Sequence, residues 1–192
     1  MASSPIAKVT AEEYLALDRA AEVRSEFLDG EMWAMPGVSL PHARLQLNLY
    51  NALEAALDDR DCEVLPSDFR VRVSNRMYAY PDVTIVCGKP VLANENQDIL
   101  LNPVAIIEVL SPTTEKYDRG VKFQYYRTIE SLRDYVLVAQ DRVLIEQFTR
   151  TEAGTWTLRD YQQLEDAMKI ESIGATLPLA RIYRRVEIPP AD

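Results

Sequence analysis

Leucines recur every four residues in LPHARLQLNLYNALEAALD, at Leu45, Leu49, Leu53 and Leu57. That spacing lays one apolar stripe along a helix and predicts it over Leu40 to Asp58, with His42 in the first turn. A shorter helix is predicted upstream. Thr10 and Glu13 stand at the spacing of a capping box, and Tyr14, Leu15 and Leu17 give it an apolar face that ends near Ala21. Between the two helices, short apolar arms from Glu26 to Met35 flank Asp29-Gly30, a hairpin signal closed by Pro36-Gly37. Phe69, Val71 and Val73 alternate with Arg70 and Arg72, the period of a strand. YPDVTIVCG is a second strand, ended by Gly88-Lys89-Pro90, and Val91 to Leu101 reads as a polar surface connection. Val104 to Leu110 is a third strand, broken by Ser111-Pro112, after which Thr113 or Thr114 caps a helix over Lys116 to Thr128. DYVLVAQDRVLIEQFTRT reads as two strands joined at Gln140-Asp141-Arg142. Further strands are expected at Thr155 to Tyr161 and Met168 to Ile173, then a short helix over Leu177 to Arg184 and a frayed tail over Ile188 to Asp192. The order helix, hairpin, helix, strands, helix, strands predicts an α/β fold with a mixed central β-sheet flanked by helices.

Composition narrows this picture modestly. A chain of 192 residues, 47% hydrophobic, suffices for one core, and a single domain over residues 1–192 is expected. The two cysteines, Cys62 and Cys87, form no CxxC and have no histidine-rich partner stretch. Neither a zinc site nor a disulfide framework is expected, and a reducing cytoplasm fits. MASSPIAKVTAEEY lacks the charged-then-apolar layout of a signal peptide. No apolar run approaches the ~20 residues needed to span a bilayer, so no membrane partner is expected. The net charge of −9 argues against a surface that neutralises many phosphates. It leaves room for nucleic-acid chemistry, because acids clustered at a metal site enter the same sum and a local basic stripe can sit on an acidic protein.

Two carboxylates interrupt apolar strands. Asp82 follows Tyr80-Pro81 and precedes Val83-Thr84-Ile85-Val86, and Glu108 lies between Ile106-Ile107 and Val109-Leu110. A buried, unpaired carboxylate is costly, so it is paired, protonated or bound to metal. If the two strands pair, the carboxylates face each other, and a hard divalent cation such as Mg²⁺ removes their repulsion. Lys122 is the third piece. The turn Ser111-Pro112-Thr113-Thr114 folds its helix back against the sheet, within reach of both acids, with Asp118 and Arg119 one turn before it.

YPDVTIV, IIEVLSPTTEKYDRGVKFQYYR and DYVLVAQDRV, with SEFLDGEMWAMPG and PHARLQLNLYNAL before them, resemble the Uma-type family of restriction endonucleases within the PD-(D/E)XK nuclease superfamily. The resemblance runs from about Thr10 to Phe148, and its most specific block is Glu108 to Tyr126. It implies a restriction-endonuclease-like core with a four-stranded mixed sheet and Mg²⁺-dependent (Mn²⁺ as a substitute) hydrolysis of phosphodiester bonds in DNA. Asp82 matches the motif's aspartate and Glu108 its second acid, and these two with the Val109 carbonyl are implied as metal ligands. The sequence departs from the superfamily pattern at Leu110, where the motif lysine belongs; Lys122, on the following helix, takes its place. Glu26 matches an early glutamate implied to hold a metal-bound water or a second metal, and His42 matches a helix-start histidine.

Other readings of the same residues stand beside these. Asp82 suits a strand end that accepts backbone hydrogen bonds. Glu108 suits a structural ion pair with Lys122, Arg70 or Arg72. Lys122 suits a solvated helix face, Glu26 a surface carboxylate, and His42 a packing histidine. Tyr117, Tyr125 and Tyr126 read first as packing residues. Arg70, Arg72, Arg76, Lys89, Lys116, Arg119 and Arg127 could supply a local phosphate track. Two alternative functions remain: an inactive nuclease fold that binds nucleic acid or protein, and a metal-dependent hydrolase of a small phosphorylated molecule. A homodimer is expected to suit cleavage of both strands of a duplex.

Overall fold

The computed structural model describes residues 8–93 and 95–189. Residues 1–7, at the start of the segment read for a signal peptide, and 190–192, in the tail expected to fray, lie outside the described residues, as does residue 94 within the connection read as polar. In chain order the elements are α1 (Ala11–Ala20), β1 (Ser25–Leu28), β2 (Glu31–Ala34), α2 (Leu40–Leu57), β3 (Cys62–Leu65), β4 (Arg70–Ser74), β5 (Met77–Ala79), β6 (Val83–Cys87), β7 (Ile99–Leu100) and β8 (Ala105–Leu110). Then follow α3 (Glu115–Tyr117), a π-helical turn (Asp118–Lys122), α4 (Phe123–Tyr126), β9 (Asp134–Ala139), β10 (Ile145–Arg150), β11 (Trp156–Tyr161), β12 (Ala167–Ile170), a 3₁₀ turn (Glu171–Ile173), β13 (Ala175–Pro178) and α5 (Leu179–Ile182).

Local chemistry explains the N-terminal elements. Thr10 Oγ1 accepts the Glu13 N–H while Glu13 returns a carboxylate oxygen to the Thr10 N–H, so the capping box starts α1 as expected. Asp29 and Gly30 both have positive φ, 51° and 90°, as a tight type I′ hairpin turn requires between β1 and β2. Ser39 caps α2 by accepting the His42 N–H.

A six-stranded sheet in the order β11-β10-β9-β8-β6-β3 forms the centre, with β8 and β9 parallel and the other neighbours antiparallel. One face receives Leu45, Leu49, Leu53 and Leu57 of α2 together with β12, β13 and α5. The other face packs against β4, β5 and α4 through Val71, Met77, Ala79 and Tyr126. Those strands belong to a five-stranded sheet, β2-β1-β5-β4-β7, whose other face packs on Tyr14 of α1. Burial on both faces is why β8 and β9 are buried along their whole length and read as continuous apolar runs.

The mixed α/β class is as expected, but several details differ. The central sheet has six strands, not the implied four. The connection read as polar ends in β7, whose Ile99 and Leu100 are buried; two residues are too short a run to show a period. Leu177 belongs to β13, where Ala175 and Leu177 point inward and Thr176 outward, so helix α5 starts only at Leu179. Thr114 takes the cap position of α3 but makes no side-chain cap, and Ser111 Oγ accepts the Thr114 N–H instead.

The cysteine expectation is overturned. Cys62 and Cys87 are direct register partners on β3 and β6 and are joined in a disulfide. Antiparallel pairing places them face to face, which their separation of 25 residues in sequence does not reveal. Cysteine usage therefore no longer argues for a reducing compartment. Among the described residues, no helix is long and apolar enough to cross a membrane.

Candidate active site

Strand pairing builds the site. β6 and β8 run antiparallel with Val83 opposite Ile107 and Thr84 opposite Ile106. Continued by one residue, that register sets Asp82 opposite Glu108. Asp82 lies one residue ahead of β6 rather than inside it, which corrects the sequence reading. Its backbone N–H donates to Glu108 Oε2 at 3.3 Å, and its Oδ2 accepts the Val109 N–H at 2.7 Å. The expectation of a strand-end acid accepting a backbone hydrogen bond is therefore met, alongside its pairing with Glu108.

Glu108 points to the face covered by α4 and is 3% exposed. Its Oε1 accepts from Lys122 Nζ and from the Tyr126 hydroxyl, each at 3.0 Å. Lys122 is not on a solvated face. It is 6% exposed, and its ammonium also meets Glu26 Oε1 at 2.9 Å and Asp118 Oδ1 at 3.4 Å. The π turn carries Asp118 and Lys122 to this point; such turns recur at functional positions. Arg119 turns the other way, to Glu115 and Glu146. The Tyr117 ring lies 5.8 Å from Lys122 Nζ, and its hydroxyl is buried without a hydrogen-bond partner among the described residues.

Asp82 is held from the opposite side of the sheet. His42 Nε2 lies 2.9 Å from Asp82 Oδ1, Gln46 Nε2 donates to the Asp82 carbonyl at 3.1 Å, and the Tyr50 hydroxyl donates to the same carbonyl at 2.6 Å. These three residues stand four apart on α2, in a row beside the leucine stripe.

The electrostatics are unbalanced. Four carboxylates, Glu26, Asp82, Glu108 and Asp118, share a single ammonium and one histidine. Burial pushes the Glu108 carboxyl up to about 8, against the opposing pull of Lys122, with Asp118, Asp82 and Glu26 adding to the rise. For Lys122, burial alone works against the charged form. Glu108, Glu26, Tyr126 and Asp118 outweigh it and hold the ammonium well above its ordinary range. Other buried acids contrast with this. Asp18 is satisfied by Arg70, the Tyr80 hydroxyl and the Ser25 N–H. Asp134 accepts from Gln147, Thr149 and Ser172.

The structure brings Asp82, Glu108, Lys122 and Glu26 together as the sequence reading grouped them, and puts the Val109 backbone beside Asp82. It adds Asp118, weighed beforehand only as a nearby charge, and Tyr126, read as packing. Gln46 and Tyr50 escaped notice. Their signal was the i, i+4, i+8 spacing from His42, hidden beside a stronger leucine periodicity. Three of the seven cations of the phosphate track are engaged elsewhere: Arg70 pairs with Asp18 and Asp98, Arg76 with Asp29, and Arg119 with Glu115 and Glu146.

A family model described as "Putative restriction endonuclease", Uma2, matches residues 11–180. This chain belongs to the Uma2 family. Two uncharacterized proteins of Synechocystis sp. (strain ATCC 27184 / PCC 6803 / Kazusa) are similar to this Uma2 chain. The protein slr1290 is 34% identical over 183 residues, 95% of each chain. The protein sll1609 is 35% identical over 153 residues, 79% of this chain and 86% of its own. Among solved structures, a "putative nuclease belonging to DUF820" from Anabaena variabilis ATCC 29413 superposes with a TM-score of 0.76 at 16% identity. The match covers 91% of the Uma2 chain and 97% of the other, so the two share a fold.

The donor set of the Uma2 site fits a hard divalent cation. It consists of carboxylate oxygens with a backbone carbonyl nearby, and the two cysteines are joined to each other. Among the described residues no three histidine, cysteine, aspartate or glutamate side chains form a ready-made cage.

Proposed function

We propose that this Uma2 protein is a Mg²⁺-dependent endonuclease that hydrolyses phosphodiester bonds in DNA. The observation that carries the reading is a crowd of carboxyl groups short of cations: Glu26, Glu108 and Asp118 meet one ammonium, and Asp82 stands opposite Glu108 across β6 and β8. Isolated buried charge is expensive, and a divalent cation supplies what Lys122 alone does not.

Asp82 and Glu108 would hold the cation with the Val109 carbonyl. A strand residue projects its C=O to the same edge as its N–H, and the Val109 N–H points to Asp82. The bound metal would ease deprotonation of water and offset charge on the phosphoryl group. Lys122 stays protonated in this surrounding, so its part is to donate: to orient the attacking water, or to steady negative charge as it develops on a phosphate oxygen. Glu26, on the far side of Lys122 and 12% exposed at its side chain, would accept a hydrogen bond from that water. Tyr126 anchors Glu108 Oε1 and so frees Oε2, whose Asp82 contact is the longer one, to turn toward the cation.

A second reading, hydrolysis of a small phosphorylated molecule, draws on the engaged arginines and the net charge of −9. Against it, the acids line neither of two sizeable clefts, one of about 440 Å³ beside Asn48 and Arg181 and one of about 640 Å³ around Phe123, Phe148 and Trp156. Cleavage of both strands of a duplex would follow from a two-fold dimer, which sedimentation equilibrium checks.

The test titrates Mg²⁺ and Mn²⁺ into the wild type, Asp82→Ala and Glu108→Ala, then assays supercoiled DNA, single-stranded DNA and a small phosphodiester. Metal binding and nicking by the wild type alone support the reading. Equal binding by all three proteins removes it. Turnover confined to the small phosphodiester favours the second reading.

A further inference from the structure

The side chains of His42, Gln46 and Tyr50 on α2 all reach one residue, Asp82. The imidazole meets the side-chain Oδ1, while Gln46 and Tyr50 fix the backbone carbonyl. Gln46 Nε2 also lies 3.4 Å from Oδ1. With the Val109 N–H on Oδ2, each oxygen of the carboxylate has a donor and its plane is set. Asp82 needs this support because it lies ahead of β6, where the strand ladder no longer fixes the backbone. The leucine stripe locks α2 against the sheet, so the row beside it is held by buried packing rather than by a loop.

We infer that α2 is the positioning element of the site, and that His42 orients Asp82 for the cation without binding the cation itself. This rests on the metal-site reading above. Groups that hydrogen-bond to a metal's carboxylate ligands set ligand orientation, and losing one typically weakens metal affinity by about 10- to 100-fold. His42 reaches Asp82 through Nε2. A glutamine amide nitrogen occupies nearly the same place, whereas an asparagine amide stops about where Nδ1 lies. The pair His42→Gln and His42→Asn therefore keeps a polar, uncharged side chain in both variants and differs in whether the donor reaches Oδ1.

The experiment measures Mn²⁺ binding to the full chain by calorimetry and electron paramagnetic resonance, for wild type, His42→Gln, His42→Asn and Tyr50→Phe, with metal-free melting temperatures alongside. Positioning predicts near wild-type affinity for His42→Gln, a loss of about 10- to 100-fold for His42→Asn, and a smaller loss for Tyr50→Phe, which releases the Asp82 carbonyl but leaves its carboxylate held. The two His42 variants should melt together. If His42→Gln loses as much affinity as His42→Asn, the histidine is a ligand or acts by its ring, and the inference falls. If neither variant loses affinity, α2 does not position the site. Absence of binding by the wild type would instead overturn the metal-site reading, a different failure from either of these.

Discussion

Replacing Lys122 by methionine tests the central claim about the site, that its carboxylates are held by a buried ammonium. The substitution keeps much of the side-chain volume and removes the one cation that, among the described residues, pairs with Glu26, Glu108 and Asp118, whose side chains are 12%, 4% and 4% exposed. An exposed ion pair contributes at most about 1 kcal/mol. Breaking a buried one costs about 3–5 kcal/mol, because the partner charges stay behind without compensation. For a chain of this size, with about 2–4 °C lost per kcal/mol, that is a fall of roughly 6–20 °C in Tm. Adding Asp118→Asn to Lys122→Met removes one of the stranded charges. The double variant should recover part of the loss, with a coupling energy of about 1–3 kcal/mol. Urea unfolding of the four proteins of the cycle, in chelator at pH 7, measures this directly. A cost below about 1 kcal/mol for Lys122→Met, or strict additivity in the cycle, would refute the buried cluster.

Further outcomes are expected elsewhere. Burial lifts the Glu108 carboxyl from 4.5 to about 8, so the folded protein binds more protons than the unfolded chain between those values. Metal-free stability should therefore fall as pH rises through that window and level off above it; a flat profile between about pH 5 and 8 in chelator melts contradicts the assignment. Metal must displace the same proton, so apparent Mn²⁺ affinity should drop about tenfold per unit below pH 8, with proton release visible as a buffer-dependent calorimetric heat. Asp18→Ala should cost about 3 kcal/mol in urea unfolding, because it removes the acceptor of the Tyr80 hydroxyl and one of the two carboxylates, Asp18 and Asp98, that hold the buried Arg70 guanidinium. Reducing Cys62–Cys87, which closes a separation of 25 residues, should lower stability by about 3 kcal/mol, read by comparing unfolding with and without reductant.

The chain's own periodicities determined the local elements. The leucine stripe of α2, the capping box of α1, the Asp29-Gly30 turn and the long apolar runs of β8 and β9 follow from neighbours within one or two turns, and the structure keeps all of them. The oddity of Glu108 was legible for the same reason: a charge inside an apolar run is visible without knowing what lies opposite. Tertiary structure alone decided who that charge meets. The register of β6 against β8 put Asp82 across from it, the π turn delivered Asp118 together with Lys122, and α2 reached around the sheet end to take hold of Asp82. Cys62 met Cys87 through the same kind of long-range pairing, against the expectation from spacing. Side-chain periodicity encodes which face of an element is buried. It carries no information about which distant element buries it, because that choice is made by packing among residues tens of positions apart.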